Sequence, residues 1–124
     1  VSAPLSTLAL TSCEVELRRA GLEDLPAIVG LLAADPLGRS FQLSFIPGLA
    51  RRGALRAQIE AVRVREEYRR QGLGAAMLEW AIGEARRRGC ALMQLTTDKT
   101  RTDAHRLYER LGFVASHEGL KLAL

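Results

Sequence analysis

The chain has 124 residues, 48% of them hydrophobic and 26% charged. That is the balance of a single globular domain, 1–124, able to bury a core without disulfides or metal. No apolar run approaches the ~20 residues needed to span a bilayer, and the mildly apolar start, VSAPLSTLALTSC, lacks the basic lead of a signal peptide, so a cytoplasmic protein is expected. The net charge of +4 rests mostly on arginine, which suits bidentate recognition of phosphates but does not choose among nucleic acid, an anionic surface and an anionic cofactor.

Residues 1–12 read as a loose arm. Cys13 to Arg19, CEVELRR, alternates apolar and polar residues as a half-buried strand does. Leu22 to Ala34 carries Leu25, Ile28, Val29, Leu31 and Leu32 at helical spacing, with Asp24 as a cap and Pro26 in the first turn. Phe41 to Ile46 alternates again. A turn with Arg51 and Arg52 leads into Leu55 to Val64, and the two strands suit a hairpin. In the second of them Leu55, Ala57 and Ile59 share one parity while Val62 and Val64 share the other. One face cannot hold both sets without an extra residue, so a β-bulge is expected near Glu60 and Ala61; burial on both faces is the alternative.

Gly72 to Arg88 is the clearest helix. Leu73, Ala76, Met77, Trp80, Ala81 and Ala85 form its inner stripe, and Gly89 is its stop. Ala91 to Thr96 follows as a strand, so a right-handed crossover and a parallel pair are implied. Asp103 to Leu111 reads as a second helix, with Thr102 as cap, Leu107, Tyr108 and Leu111 inward and Gly112 as stop. Phe113 to Leu124 reads as one or two closing strands split near Gly119.

Two cysteines, Cys13 and Cys90, and two histidines, His105 and His117, fall outside any metal-ligand spacing, so no metal is expected. The scattered arginines and an aromatic content of 5% give no basic stripe with stacking residues, which argues against a nucleic-acid partner.

The strongest local signal is RRQGLG, Arg69, Arg70, Gln71, Gly72, Leu73 and Gly74, between a strand and a helix. Its glycines let backbone approach a ligand. The first helical amides face outward without partners and suit a phosphate. A plain tight turn would use the same residues. The nucleotide P-loop spacing is absent, and Met77 stands where a third dinucleotide-fold glycine would be.

Arg69, Gly72 and Gly74 match the [QR]xxGx[GA] signature of the GNAT superfamily of acyl-CoA N-acyltransferases. IEAVRV before it and DAHRLYERLGF after it, with Ala104, Tyr108, Gly112 and Phe113, extend the resemblance. It implies an α/β (α+β) fold with a mixed, mostly antiparallel sheet, a splayed parallel pair and flanking helices. Only about Ala34 to Ser40 separates the first helix from the next strand, so either the core lacks the family's usual second helix and second strand or a segment is omitted between them.

The resemblance also implies acetyl-CoA as acyl donor. Its pantetheine would lie along Val62, Arg63 and Val64, and its pyrophosphate on Arg69 to Ala75. Arg101 stands where many members have an asparagine and would reach a phosphate. Glu60 at the bulge is the candidate base, or else a solvated strand carboxylate. Tyr108 occupies the general-acid position, or else is a core tyrosine. The acceptor would be a small-molecule or protein amine, and a homodimer is a common outcome in the family. A non-catalytic acyl-CoA-binding or sensor module is the alternative on the same fold.

Overall fold

A computed structural model of the chain describes residues 4–9, 14–19, 39–64 and 72–124. The helix expected over Leu22 to Ala34 lies outside them, as do Arg69, Arg70 and Gln71.

The described residues form two sheets. β1 (Ser6–Ala9) and β2 (Glu14–Leu17) pair antiparallel, with Leu8 opposite Val15. β1 falls in the stretch read as a loose arm. Leu5, Leu8 and Leu10 break a two-residue period, so alternation did not mark it, yet Leu8 is buried against Leu73 and Met77. That contact fixes the segment.

The second sheet has the order β3-β4-β5. β3 (Arg39–Pro47) and β4 (Leu55–Val64) form the expected antiparallel hairpin, and β5 (Leu92–Leu95) runs parallel to β4. The β3–β4 connection contains a four-residue helical turn, Ala50–Gly53, in which Arg51 and Arg52 adopt left-handed angles.

The crossover helix α1 (Leu73–Arg87) buries Leu73, Met77, Leu78, Ala81 and Ala85. Leu78 is a buried position the sequence stripe did not include, while Ala76 and Trp80 are half-buried. At the far end Glu84 bonds Arg87 at 2.7 Å and Arg88 at 3.0 Å. These guanidiniums hold its carboxyl below the usual value. Gly89, with φ 73°, ends the helix as expected.

α2 (Thr102–Arg110) turns its buried Tyr108 toward Ile59, Leu78 and Ala81, which form the main core. Gly112 follows with φ 99°. The cap position is Arg101 rather than Thr102, and it makes no side-chain capping bond. Phe113 still packs edge-on against Tyr108, 5.9 Å between ring centres.

Beyond Phe113 the expected closing strands do not form. Alternation gives a segment the capacity to pair but not a partner, and here Val114, Leu120 and Leu122 stay exposed. Among the described residues no helix is long and apolar enough to cross a membrane.

Candidate active site

The site begins with a mismatch between strands. Ser40 faces Arg63 and Gln42 faces Glu60, so two steps along β3 are matched by three along β4. The extra residue is a bulge, and Ala61 absorbs it with φ 53°. This is the bulge that the parity of β4 predicted.

Pairing with β5 ends just before the bulge, at Ile59 opposite Leu95. Past that point β4 and β5 part. Ile59, Glu60, Ala61, Val62, Arg63, Leu95, Thr96, Arg101 and Tyr108 line the groove between them, about 110 Å³ in volume. Glu60, Val62, Arg63, Arg101 and Tyr108, expected from sequence as site residues, therefore meet in one groove. Val64 lies at the end of β4 beside Gly74, whose Cβ, if present, would sit 3.7 Å from its side chain.

Glu60 is exposed at the groove. Its Oε1 accepts a hydrogen bond from Gln58 Nε2, and Gln58 Oε1 accepts one from Gln94 Nε2 at 2.8 Å. The amide chain starts from the parallel register, where Gln58 and Gln94 are partners, and fixes how the carboxylate sits. Neither glutamine carries a motif, so sequence reasoning passed over both.

Tyr108 enters from the helical side. Burial pushes its phenol above the ordinary tyrosine value, against the opposing pull of Arg101. The hydroxyl therefore keeps its proton at neutral pH and remains a donor.

The β5–α2 loop fixes Arg101. Asp98 accepts from the Thr100 amide at 2.9 Å and from its hydroxyl at 2.7 Å, and these bonds lower its pKa. The Asp98 carbonyl accepts the Arg101 amide at 3.1 Å and lies 3.0 Å from His105 Nε2. Thr96, which precedes this loop, and Leu95 are groove residues the sequence did not single out. Their signal was only position, at the carboxyl end of a parallel strand.

The start of α1 stands beside the end of β4. Gly72 caps it with φ 81°, and no acidic residue occupies the first turn. Ala76 donates to the Gly72 carbonyl at 3.0 Å, which leaves the amides of Leu73, Gly74 and Ala75 without helical partners. The Leu73 side chain is 1% exposed, so only its backbone can meet a ligand.

A family model, the acetyltransferase (GNAT) family, matches residues 15–113. An aminoalkylphosphonate N-acetyltransferase of Salmonella typhimurium is 42% identical over 60 residues, 48% of this chain and 39% of that protein. A ribosomal protein bS18-alanine N-acetyltransferase of Escherichia coli is 44% identical over 52 residues, 42% of this chain and 35% of that protein. The matches thus span well under half of either relative. A crystal structure described as a transcriptional regulator from Bacillus halodurans superposes with a TM-score of 0.75 at 37% identity, covering 86% of this chain and 97% of that one.

Proposed function

Because the chain belongs to the GNAT family of acetyltransferases, we propose that it moves an acetyl group from acetyl-CoA to a primary amine by direct attack in a ternary complex. The observation that carries this reading is the groove opened where β4 leaves β5 at the left-handed Ala61.

The residues fit the donor. The amides of Leu73, Gly74 and Ala75, which have no partner within the helix, at a helix start with no acidic residue in its first turn, suit a pyrophosphate. Arg69, Arg70 and Gln71 join them by the signature they share with Gly72 and Gly74. Val62, Arg63 and Val64 lie beyond the last β5 pair and offer an extended edge to the pantetheine arm. Arg101 at the groove adds a cation toward a phosphate. Bound there, acetyl-CoA supplies the acetyl thioester.

The chain's own groups would handle the protons. An alkyl ammonium is not a nucleophile, so Glu60 accepts its proton, directly or through water. A backbone amide at the bulge donates to the carbonyl oxygen as it gains charge. Tyr108 donates its proton to the departing sulfur, whose thiol has a pKa of ~8.5 by analogy with cysteine.

The relatives' names cover a small aminoalkylphosphonate and a protein amino group, and both belong in an acceptor panel. Free thiol is measured with acetyl-CoA and each amine. Acceptor-dependent CoA release supports the reading.

Release no faster than donor hydrolysis, with acetyl-CoA still bound, would instead support a non-catalytic acyl-CoA-binding module. The resemblance to a structure described as a transcriptional regulator is what favours that second reading.

A further inference from the structure

A second cavity lies at the other end of the strand pair that frames the groove. It measures about 50 Å³, less than half the groove, and opens where β4 and β5 begin. Its walls are glycine, alanine and leucine except at two places, Arg51 and Arg56. It shares no lining residue with the groove. Arg56 pairs with Leu92 and Ile59 with Leu95, so three strand steps, about 10 Å, separate the two.

Arg56 is half-buried, and its Nε is a buried donor with no hydrogen-bond partner. A guanidinium is always charged, and leaving one of its donors buried and unpaired is costly. An acceptor in the cavity removes that cost, and the surrounding chain does not supply one. No acidic side chain lines the cavity. The carbonyls of Leu55 and Arg51 already accept the amides of Ala91 at 2.8 Å and Ala54 at 3.3 Å. Arg87 and Arg88 hold Glu84, and Arg106 approaches Asp103, whereas Arg51 and Arg56 enter no ion pair among the described residues.

Arg51 comes from the hairpin turn. Arg51, Arg52 and Gly53 are successive left-handed residues, with φ of 52°, 59° and 77°. Such angles are costly for a residue with a Cβ, and glycine would make the same turn without that cost. The turn carries an arginine there, and Arg51 rather than Arg52 lines the cavity. Two guanidiniums, no opposing carboxylate and room for one small group select an oxyanion. Two positive charges match a dianion better than a monoanion, and the planar forks match phosphate oxygens.

We propose that this cavity is a phosphate-binding site, in which the Arg56 Nε–H and the Arg51 guanidinium hold one phosphate group, free or at the end of a small phosphomonoester. An occupied site ties the hairpin turn to the start of β4. The proposal does not depend on which reaction the groove performs.

The test titrates the ¹⁵N-labelled 124-residue chain with sodium phosphate, at ionic strength held constant with sodium chloride. Saturable shifts are expected at the amides of Leu55, Arg56 and Leu92. Phosphate at the start of α1 would shift Gly72 to Ala75 instead, and that set is fitted separately. Arg51→Gln and Arg56→Met should each weaken binding at the first set about tenfold or more and leave the second set unchanged. Arg51 is exposed, so its variant keeps the test decisive if the other folds poorly. Arg56→Met should melt no lower than the native chain in chloride alone, because it removes an unpaired donor. Acetate should bind at the first set more weakly than phosphate. Glycerol 3-phosphate identifies the source: tighter binding than phosphate assigns the site to an ester, weaker binding to the free ion. No saturable shift at Leu55, Arg56 and Leu92, equal affinity in both variants, or acetate binding as tightly as phosphate would each overturn the proposal.

Discussion

Ala61 holds φ 53°, a conformation that costs an L-residue with a Cβ about 1–2 kcal/mol. Glycine there would remove that cost but add ~0.5–1 kcal/mol of unfolded-state entropy. Ala61→Gly should therefore stabilise by at most about 1.5 kcal/mol, and Ala61→Val should destabilise, as thermal melts would show. Turnover in Ala61→Gly should fall nonetheless, because a looser bulge aims its amide less well.

Glu60→Gln should lower kcat by about 10²–10⁴-fold, the range for losing a general base, with acetyl-CoA affinity kept. Tyr108→Phe keeps the ring against Phe113 and should also lower kcat without unfolding the protein. Unchanged rates in both variants would remove the two assignments. The parity break in β4 made Glu60 legible, because Ile59 and Val62 demanded an extra residue between them. Which of Glu60 and Ala61 would take the left-handed backbone was not legible, since alanine gives no sign of it. The orienting pair Gln58 and Gln94 depends on β4–β5 register, which one sequence does not encode locally.

At the scale of elements, α1 and the turn before α2 do different work. Gly72 needs its φ of 81° to aim the first amides of α1. Gly72→Ala should cost about 1–2 kcal/mol and raise KM for the donor more than it lowers kcat. Gly74 is less demanding, since an added Cβ would meet Leu107 at 3.4 Å and Val64 at 3.7 Å, close to ordinary contact. Both glycines were legible from the signature.

The start of α2 was not legible in its detail. Thr102 had the right chemistry for a cap, but Asp98 and Thr100 close the turn earlier and leave Arg101 in the cap position. Thr102→Ala should then leave the melting temperature within experimental error. Asp98→Asn should lower it above the acidic range only. The Asp98 pKa is depressed in the fold, so its contribution is present above the ordinary aspartate value and is lost as pH falls through the folded value. A wild-type minus variant melting difference that shrinks with acid would confirm the sign. The tail after Phe113 misled for a related reason: its alternation was real, but a strand also needs an edge to join.

At the scale of the whole molecule the groove meets the core at Ile59 and Tyr108, and of the two only Tyr108 carries a titratable proton. Its ring packs with Ile59, Leu78 and Ala81, and the residue also lines the groove. Conditions that ionise the phenol must therefore act on activity and stability together. Burial raises its pKa, while Arg101 pulls it down. For a raised pKa, the contribution to stability is fully present below the unfolded tyrosine value of ~10 and is lost as pH rises through the folded value. The native protein should hold its full stability through neutral pH and lose it on the alkaline side of that value.

The loss should be smaller in Tyr108→Phe, which has no proton there to release. Subtracting the alkaline tyrosinate absorbance titration of Tyr108→Phe from that of the native chain isolates this phenol from Tyr68. Arg101→Gln should move the difference curve to still higher pH, because it removes the opposing cation without touching the ring. A difference curve at the ordinary tyrosine value, unmoved by Arg101→Gln, would show the hydroxyl to be solvated and uncoupled from the groove, and Tyr108 would lose its place as the proton donor.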